Sequence, residues 1–145
     1  IKGTLPRLFV TQFEGCAPVV KAFDEGKEAC TAWGRIDIPP GGLRSPNPPG
    51  GRAVLALMRK HGGAAIAVST SDALAAVDDL TRMEGIFACP ESATTLAGLR
   101  KAIAMNLLRP DEDVIIVNTG SGLKSIPALE PARFPVITSS AAIPA

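Results

Sequence analysis

The stretch Val114-Ile115-Ile116-Val117-Asn118-Thr119-Gly120-Ser121-Gly122-Leu123-Lys124 carries the strongest prediction of the fold in this sequence. Its four leading residues are apolar β-formers, which is typical of a strand buried on both faces of a parallel sheet. A polar pair ends the run, and two glycines then allow a sharp turn. Ligands of open α/β sheets bind beyond the carboxyl ends of the strands. The stretch therefore predicts a buried strand at residues 114–118 that leads either into a binding site or into an ordinary turn.

Shorter apolar runs upstream of this stretch predict further strands. Residues 8–12 and 64–68 each read as a strand, and residues 86–89 as a brief strand or an extended segment. Segments with helical periodicity separate these runs, and alternation of this kind favours a largely parallel sheet. The predicted fold class is therefore α/β, with a parallel sheet flanked by helices on both faces. We expect strands 8–12 and 114–118 to be the most buried.

The apolar periodicity also predicts the buried faces of the last two helices. These faces comprise Leu74, Val77, Leu80 and Met83 in one helix, and Leu96, Leu99, Ile103 and Leu107 in the next. Ser69 or Ser71 is expected to cap the first of these helices and Gly85 to end it, while Ser92 or Glu91 caps the second and Pro110 closes it.

A long segment rich in proline and glycine interrupts the pattern at residues 27–52. Such a composition cannot sustain a regular helix, and a loop of this length is usually functional or disordered. We expect irregular backbone and above-average mobility over residues 36–51. Arg44 lies inside this loop, where it meets an anion or is simply solvated.

Composition narrows the possible functions. The net charge of +1 gives no sign of a nucleic-acid partner or an anionic membrane. Neither a membrane-spanning run nor a signal-peptide pattern is present. Three scattered cysteines and a single histidine fit neither a disulfide framework nor a histidine-based metal site, which favours a reducing, cytoplasmic location. The first residue is Ile1 rather than Met, which suggests a piece of a longer polypeptide or processing.

Four blocks of sequence together resemble a known family. The block from Met83 to Leu99, which contains Glu-Gly-Ile-Phe-Ala-Cys-Pro-Glu-Ser-Ala, is similar to the C-terminal half of threonine synthase. Three more blocks agree in the same order, at residues 12–18, 42–46 and 118–124. The resemblance covers about residues 5 to 125. Threonine synthase is a pyridoxal-phosphate enzyme of fold type II, the fold shared with tryptophan synthase β chain and the serine/threonine dehydratases.

The resemblance implies a domain organisation and an activity. Residues 1–124 would be the C-terminal part of a catalytic domain that uses pyridoxal 5'-phosphate, and residues 125–145 a loosely packed tail rich in Ala, Pro and Ser. The intact enzyme would be a cytoplasmic lyase, and would convert O-phosphohomoserine, a phosphorylated amino acid, and water to threonine and phosphate. It would be a homodimer, with no nucleic-acid or membrane partner.

The resemblance also implies roles for individual residues. Thr119, with Asn118 and Gly120 beside it, would face the pyridine nitrogen of the cofactor. Its hydroxyl is neutral, whereas an aspartate there would hold the nitrogen protonated and increase electron withdrawal by the ring. Glu91 and Ser92 would lie near the other edge of the cofactor, unless they only cap a helix. Arg44 would lie near the substrate entrance or a domain interface.

Two expected features of the family find no match in this sequence. These are the lysine that holds the cofactor as a Schiff base and the glycine-rich loop that binds its phosphate. Lys124 matches instead the lysine that follows the final loop. We therefore expect a fragment of threonine synthase that is inactive alone. The alternatives are a fragment of a serine/threonine dehydratase-like enzyme and a non-catalytic stand-alone domain.

Overall fold

A computed structural model describes residues 5–128 of the chain. This part contains two strands, β1 (Phe9–Phe13) and β2 (Ala64–Val68), and four α-helices. The helices are α1 (Pro18–Asp24), α2 (Gly51–His61), α3 (Thr70–Glu84) and α4 (Pro90–Ala104). Short 3-10 turns lie at Glu14–Cys16 and Gly122–Ala128. Most of the predicted tail, from residue 129 onward, lies outside the described residues.

β1 and β2 pair in parallel, with Phe9 opposite Ala64 and Phe13 opposite Val68. The prediction for residues 64–68 is confirmed, and the strand predicted at 8–12 lies one residue further along the chain. Parallel pairing of strands joined by helices confirms the α/β class.

Alternate side chains of the two strands enter two different apolar clusters. Phe13, Ile66 and Val68 pack with residues of α3 and α4 in one cluster. Ala65 packs in the other cluster with residues of α1 and α2, among them Leu55. This alternation follows from the two-residue period of a strand.

The strand predicted at residues 114–118 is wrong. This run has no strand pairing in the described part of the chain, and its side chains are exposed by 47% at Val114, 90% at Ile115, 37% at Ile116 and 64% at Val117. The run has the composition of a buried strand, but a strand also needs a neighbouring backbone, and residues 5–128 supply none here. The segment at 86–89 is extended, and Ala88 forms one antiparallel bridge with Ser121.

The predicted buried faces of α3 and α4 are only partly right. Val77 is buried, but Met83 is 76% exposed and Ile103 is 56% exposed. The buried residues of these two helices are mostly small: Ala73, Ala76, Ser92, Ala93, Thr94, Ala97, Gly98 and Ala102. Small side chains let α3 and α4 pack closely against each other and let α4 approach the sheet closely.

The helix ends differ from the predictions at α4 and agree with them at α3. α4 ends at Ala104 rather than near Pro110, because Asn106 adopts a left-handed φ of 56° and the N–H of Leu107 bonds the carbonyl of Ala102. This is a Schellman motif with Asn in place of the usual glycine. Ser69 caps α3 as predicted, since its side chain accepts a hydrogen bond from the N–H of Asp72.

The loop between α1 and α2 has irregular backbone throughout, as predicted. It is nevertheless attached to the rest of the fold. The N–H of Trp33 donates to Pro46 at 2.7 Å, and the N–H of Asp37 donates to Gly15 at 3.1 Å. Ile38 and Leu43 pack against the cluster formed with α3 and α4. The above-average mobility of the loop stays a prediction.

None of the helices in residues 5–128 is long and apolar enough to cross a membrane. In the same residues, no group of three His, Cys, Asp or Glu side chains is placed to hold a metal ion.

Candidate functional site

Ser92 organises the turn that follows the apolar run. Cys89 begins α4 as its N-cap without a side-chain capping bond, and Pro90 occupies the first turn, so Ser92 is not the cap that the sequence suggested. The Ser92 side chain is 2% exposed and points instead toward Thr119 and Gly120. Its Oγ accepts hydrogen bonds from the backbone N–H groups of both residues, each at 2.9 Å.

These two bonds favour one direction for the hydroxyl protons. A serine oxygen has two lone pairs, and the two N–H groups occupy both. The Ser92 proton is then donated to the nearest remaining acceptor, Thr119 Oγ1 at 3.0 Å, since the carbonyl of Gly120 lies at 3.5 Å. Thr119 is exposed, so its own hydroxyl proton is free to point outward to a ligand.

The glycine turn is packed against the start of α4 and is more than a simple reversal of the chain. The N–H of Cys89 donates to Gly120 at 3.0 Å, and the N–H of Gly122 donates to Phe87 at 2.8 Å. A Cβ on Gly122 would lie 2.7 Å from the Phe87 ring, and one on Gly120 would lie 3.1 Å from the sulfur of Cys89. A side chain at Gly122 would therefore force the Phe87 ring to move, and one at Gly120 would be tightly packed against Cys89.

Asn118 lies on a cleft of about 440 Å³ that Ser92 also lines. Leu80 of α3, Arg100 of α4 and Ile116 form other parts of its wall. We call this the serine cleft. Two predicted site residues, Ser92 and Asn118, line it, and two more, Thr119 and Gly120, are bonded to Ser92.

Glu91 points away from the serine cleft. Its Oε1 accepts the N–H of Gly42 at 2.9 Å, and its Oε2 lies 3.6 Å from the ammonium nitrogen of Lys124. The side chain of Glu91 is only 11% exposed, and Oε2 has no hydrogen-bond partner among the described residues. A Cβ on Gly41 would overlap this carboxylate, so a side chain there would displace it. Glu91 therefore ties the proline-glycine loop to α4 rather than capping the helix.

The surroundings of Glu91 favour its charged form. Burial by itself raises the pKa of the carboxyl, but hydrogen bonds from its own backbone, from Cys89 and from Gly42, together with the charge of Lys124, hold the pKa below the ordinary value of 4.5. Glu91 is thus a carboxylate at neutral pH.

Arg44 lines a second cleft of about 440 Å³, together with Glu91 and Lys124. Phe13, at the carboxyl end of β1, and Thr70, at the start of α3, form part of its floor and wall. We call this the arginine cleft. It lies at the carboxyl ends of both strands, which is where ligands of α/β folds bind.

Sequence reasoning missed the contact between Glu91 and Lys124. It also placed Glu91 and Ser92 at one edge of a single site, whereas the structure directs them into different clefts. Helix geometry could have predicted this separation, because consecutive residues of a helix point about 100° apart. Nothing in the local sequence indicates that Gly42 is the partner of Glu91, because the two residues are joined only by the tertiary fold.

The chain is similar in sequence to known proteins. The model of a family described as pyridoxal-phosphate dependent enzyme matches residues 2–120. The threonine synthase of Methanosarcina acetivorans is 38% identical over 124 residues, which are 86% of this chain and 31% of that protein. That of Methanocaldococcus jannaschii is 32% identical over 83% of this chain and 30% of the relative. That of Halalkalibacterium halodurans is 32% identical over 85% of this chain and 33% of the relative.

The chain thus spans about a third of the length of the curated relatives it matches. The family match covers most of the chain and includes both strands, all four helices and the residues Ser92 and Thr119. This chain belongs to the family of pyridoxal-phosphate-dependent enzymes.

Proposed function

We propose that this chain is part of a threonine synthase, a lyase that converts O-phosphohomoserine and water to threonine and phosphate. The observation that carries the proposal is the hydrogen-bonded pair of Ser92 and Thr119 at the edge of the serine cleft. The similarity to three threonine synthases supports the choice of reaction.

The residues present fit one edge of pyridoxal phosphate. The unprotonated pyridine nitrogen of the cofactor is a hydrogen-bond acceptor, and the outward-pointing hydroxyl of Thr119 is a neutral donor. Ser92 holds this hydroxyl in place through its three short contacts with Thr119 and Gly120. Gly120 permits the close packing, and Asn118 offers an amide to the same cleft.

A neutral donor has a chemical consequence. The bound cofactor supplies an electron sink, and the strength of that sink depends on the charge of the ring nitrogen. Thr119 stabilises the uncharged ring, whereas a carboxylate at this position would stabilise the protonated ring. Thr119 and Ser92 therefore restrain electron withdrawal, which suits replacement at the side chain of the substrate.

Lys124 is not expected to carry the cofactor. Its ammonium lies 3.6 Å from the buried oxygen of Glu91, in the arginine cleft, whereas Thr119 is bonded beside the serine cleft. We expect the lysine that binds the cofactor covalently, and the loop that binds its phosphate, to be supplied by other parts of the complete enzyme. Reduction with borohydride followed by peptide mapping tests this, and a stoichiometric pyridoxyl adduct on Lys124 would contradict it.

The complete enzyme is expected to be a cytoplasmic homodimer. Three scattered thiols, with no disulfide in residues 5–128, fit a reducing compartment. Sedimentation of the complete enzyme tests the dimer directly.

The test of the proposed function compares Thr119→Val and Thr119→Asp in the complete enzyme. Thr119→Val removes the donor while nearly preserving the shape, and a tenfold slower turnover would correspond to about 1.4 kcal/mol. Thr119→Asp should shift the product ratio toward side products, because it favours the protonated ring. Thr81→Val is the matched control, since its hydroxyl bonds only within and after α3.

Two outcomes would refute the assignment. If both variants fold and keep the parent's rate and product ratio, Thr119 is only a turn residue. If the enzyme releases 2-oxobutanoate from threonine and does not consume O-phosphohomoserine, the dehydratase alternative replaces the proposed reaction.

A further inference from the structure

The hydroxyl of Ser92 has more polar neighbours than it can bond at once. Its oxygen lies 2.9 Å from each of the backbone nitrogens of Thr119 and Gly120, 3.0 Å from Thr119 Oγ1 and 3.4 Å from the sulfur of Cys89. A serine hydroxyl has two lone pairs and one proton. Because the two N–H groups fill the lone pairs, a single proton remains, and the Thr119 oxygen and the Cys89 sulfur compete for it.

The sulfur of Cys89 is held behind this hydroxyl by the fold. Cys89 is fully buried, and a Cβ on Gly120 would lie 3.1 Å from its sulfur. The carbonyl of Gly120 is a poor acceptor for the Ser92 proton, because it lies 3.5 Å from Ser92 Oγ and already accepts the N–H of Cys89 at 3.0 Å. Cys89 is thus the main competitor of Thr119 for the Ser92 proton.

A cysteine is an unusual residue at this position of a helix. Cys89 is the N-cap of α4, where serine, threonine, aspartate and asparagine are preferred because their oxygens accept N–H groups of the first turn. The thiol makes no such capping bond. An oxygen in place of the sulfur could therefore stabilise the start of α4, and the contact with Ser92 supplies a reason for the sulfur.

Sulfur differs from a hydroxyl oxygen in how weakly it accepts a hydrogen bond. The Thr119 oxygen is the closer and stronger acceptor, so the Ser92 proton points to Thr119. Burial raises the pKa of the Glu91 carboxyl, but a hydrogen bond from Cys89 is among the contacts that lower it, so the thiol proton has a partner there. By accepting from Ser92, the Thr119 hydroxyl becomes a better donor of its own outward proton.

We propose that Cys89 is a positioning residue for Thr119: its sulfur fills the space behind Ser92 and leaves the Ser92 proton directed at Thr119. An oxygen at residue 89 would accept that proton, and the Thr119 hydroxyl would become a weaker and less directed donor. This role rests on the proposed function, in which Thr119 donates to the ring nitrogen of pyridoxal phosphate.

The test measures the ¹⁵N chemical shift of the ring nitrogen in the complete enzyme, loaded with cofactor labelled at that atom. Thr119→Val removes the donor and defines the full downfield change of the signal. Cys89→Ser should move the signal part of the way toward that of Thr119→Val, because its oxygen competes for the Ser92 proton. Cys89→Ala should leave the signal near the parent's, since a methyl group neither donates nor accepts.

Stability separates this role from simple packing, because the two Cys89 variants should rank in the opposite order. Cys89→Ala loses the buried sulfur and gains no cap, so it should lower the urea midpoint of the cofactor-free enzyme more than Cys89→Ser, which can cap α4. Cys89→Thr is the second hydroxyl variant if the serine variant does not fold. Cys30→Ser is the matched control, because this thiol packs with the cluster of α1 and α2, and it should not move the ring-nitrogen signal.

The role of Cys89 is refuted if Cys89→Ser leaves the signal unchanged, or if Cys89→Ala moves it as far. In either case a clear effect of Thr119→Val would leave the proposed function standing. If Thr119→Val itself leaves the ring-nitrogen signal unchanged, the cofactor contact of Thr119 and the role of Cys89 fail together.

Discussion

Ser92 and Glu91 are neighbours in the chain, yet their side chains serve opposite sides of the first turn of α4. Ser92 holds the glycine turn through two backbone N–H groups, and Glu91 holds the proline-glycine loop through one. Each side chain joins segments that are far apart in sequence. The N-terminus of α4 therefore positions the glycine turn and the proline-glycine loop, which contribute to the two clefts.

Ser92→Ala should destabilise the fold by about 1–3 kcal/mol, because it leaves two N–H groups without their acceptor. The measurement is the free energy of unfolding in urea. Ser71→Ala provides the control, since Ser71 is exposed and bonds only the side chain of Ser69. A loss no larger for Ser92→Ala than for this control would mean that water replaces the serine oxygen without cost.

Glu91 should make stability depend on pH in the acid range. Its pKa is lowered in the folded state, so the carboxylate contributes stability that is fully present above about pH 4.5 and is lost as the pH falls through the lower folded-state pKa. The difference in unfolding free energy between the parent and Glu91→Gln should therefore shrink below pH 4.5. A difference that grows on acidification would show that the pKa is raised instead.

At the scale of elements, α4 shows why periodicity alone misidentified a buried face. Leu96, Leu99 and Ile103 recur at helical spacing, yet Ile103 is largely exposed while Ala97 and Gly98 are buried against the sheet. Hydrophobicity scales rank a leucine above an alanine, but the shape of a shallow sheet surface favours the smaller side chain. The small residues Ala97 and Gly98 are visible in the sequence, but only their contact with the sheet shows that they form the buried face of α4.

Gly98→Ala tests this close approach. A Cβ at Gly98 would overlap Cγ2 of Thr11 on β1, so the substitution should cost about 1–3 kcal/mol despite the better helix propensity of alanine. Thr11→Ser removes that methyl and keeps the hydroxyl that bonds Thr94. In the Thr11→Ser background the same change should be nearly neutral or stabilising by up to about 1 kcal/mol.

A double-mutant cycle of these variants, measured by chemical unfolding, gives the coupling directly. If Gly98→Ala costs the same with and without the Thr11 methyl, the approach of α4 to the sheet is not limited by this contact.

At the scale of the whole molecule, the sequence predicted the elements better than their partners. β1, β2 and the glycine end of α3 lie within a residue or two of the predicted positions, because local pattern and turn chemistry determine them. The strand at 114–118 was wrong because pairing depends on a neighbouring segment, which composition does not reveal. Similarly, the sequence did not reveal that Ser92 and Glu91 point into two different clefts.

The exposed run Val114–Val117 has a consequence for how this chain behaves at high concentration. Four adjacent β-branched residues without a charge form the kind of segment that stacks with copies of itself into cross-β fibres. The acidic residues Asp111 and Asp113 precede the run and act as electrostatic gatekeepers against such stacking. Self-association should therefore be slower than it would be without these flanking charges.

Ile115→Lys should suppress this self-association, because it places a charge on the most exposed position of the run. Light scattering and thioflavin fluorescence over time measure the effect, and Leu57→Lys, an equally apolar-to-charged change on exposed α2, is the control. Equal aggregation rates for the two variants would mean that another part of the chain drives self-association. If Ile115→Lys aggregates more slowly than the control, the segment with the composition of a core strand is the one that limits the solubility of the isolated chain.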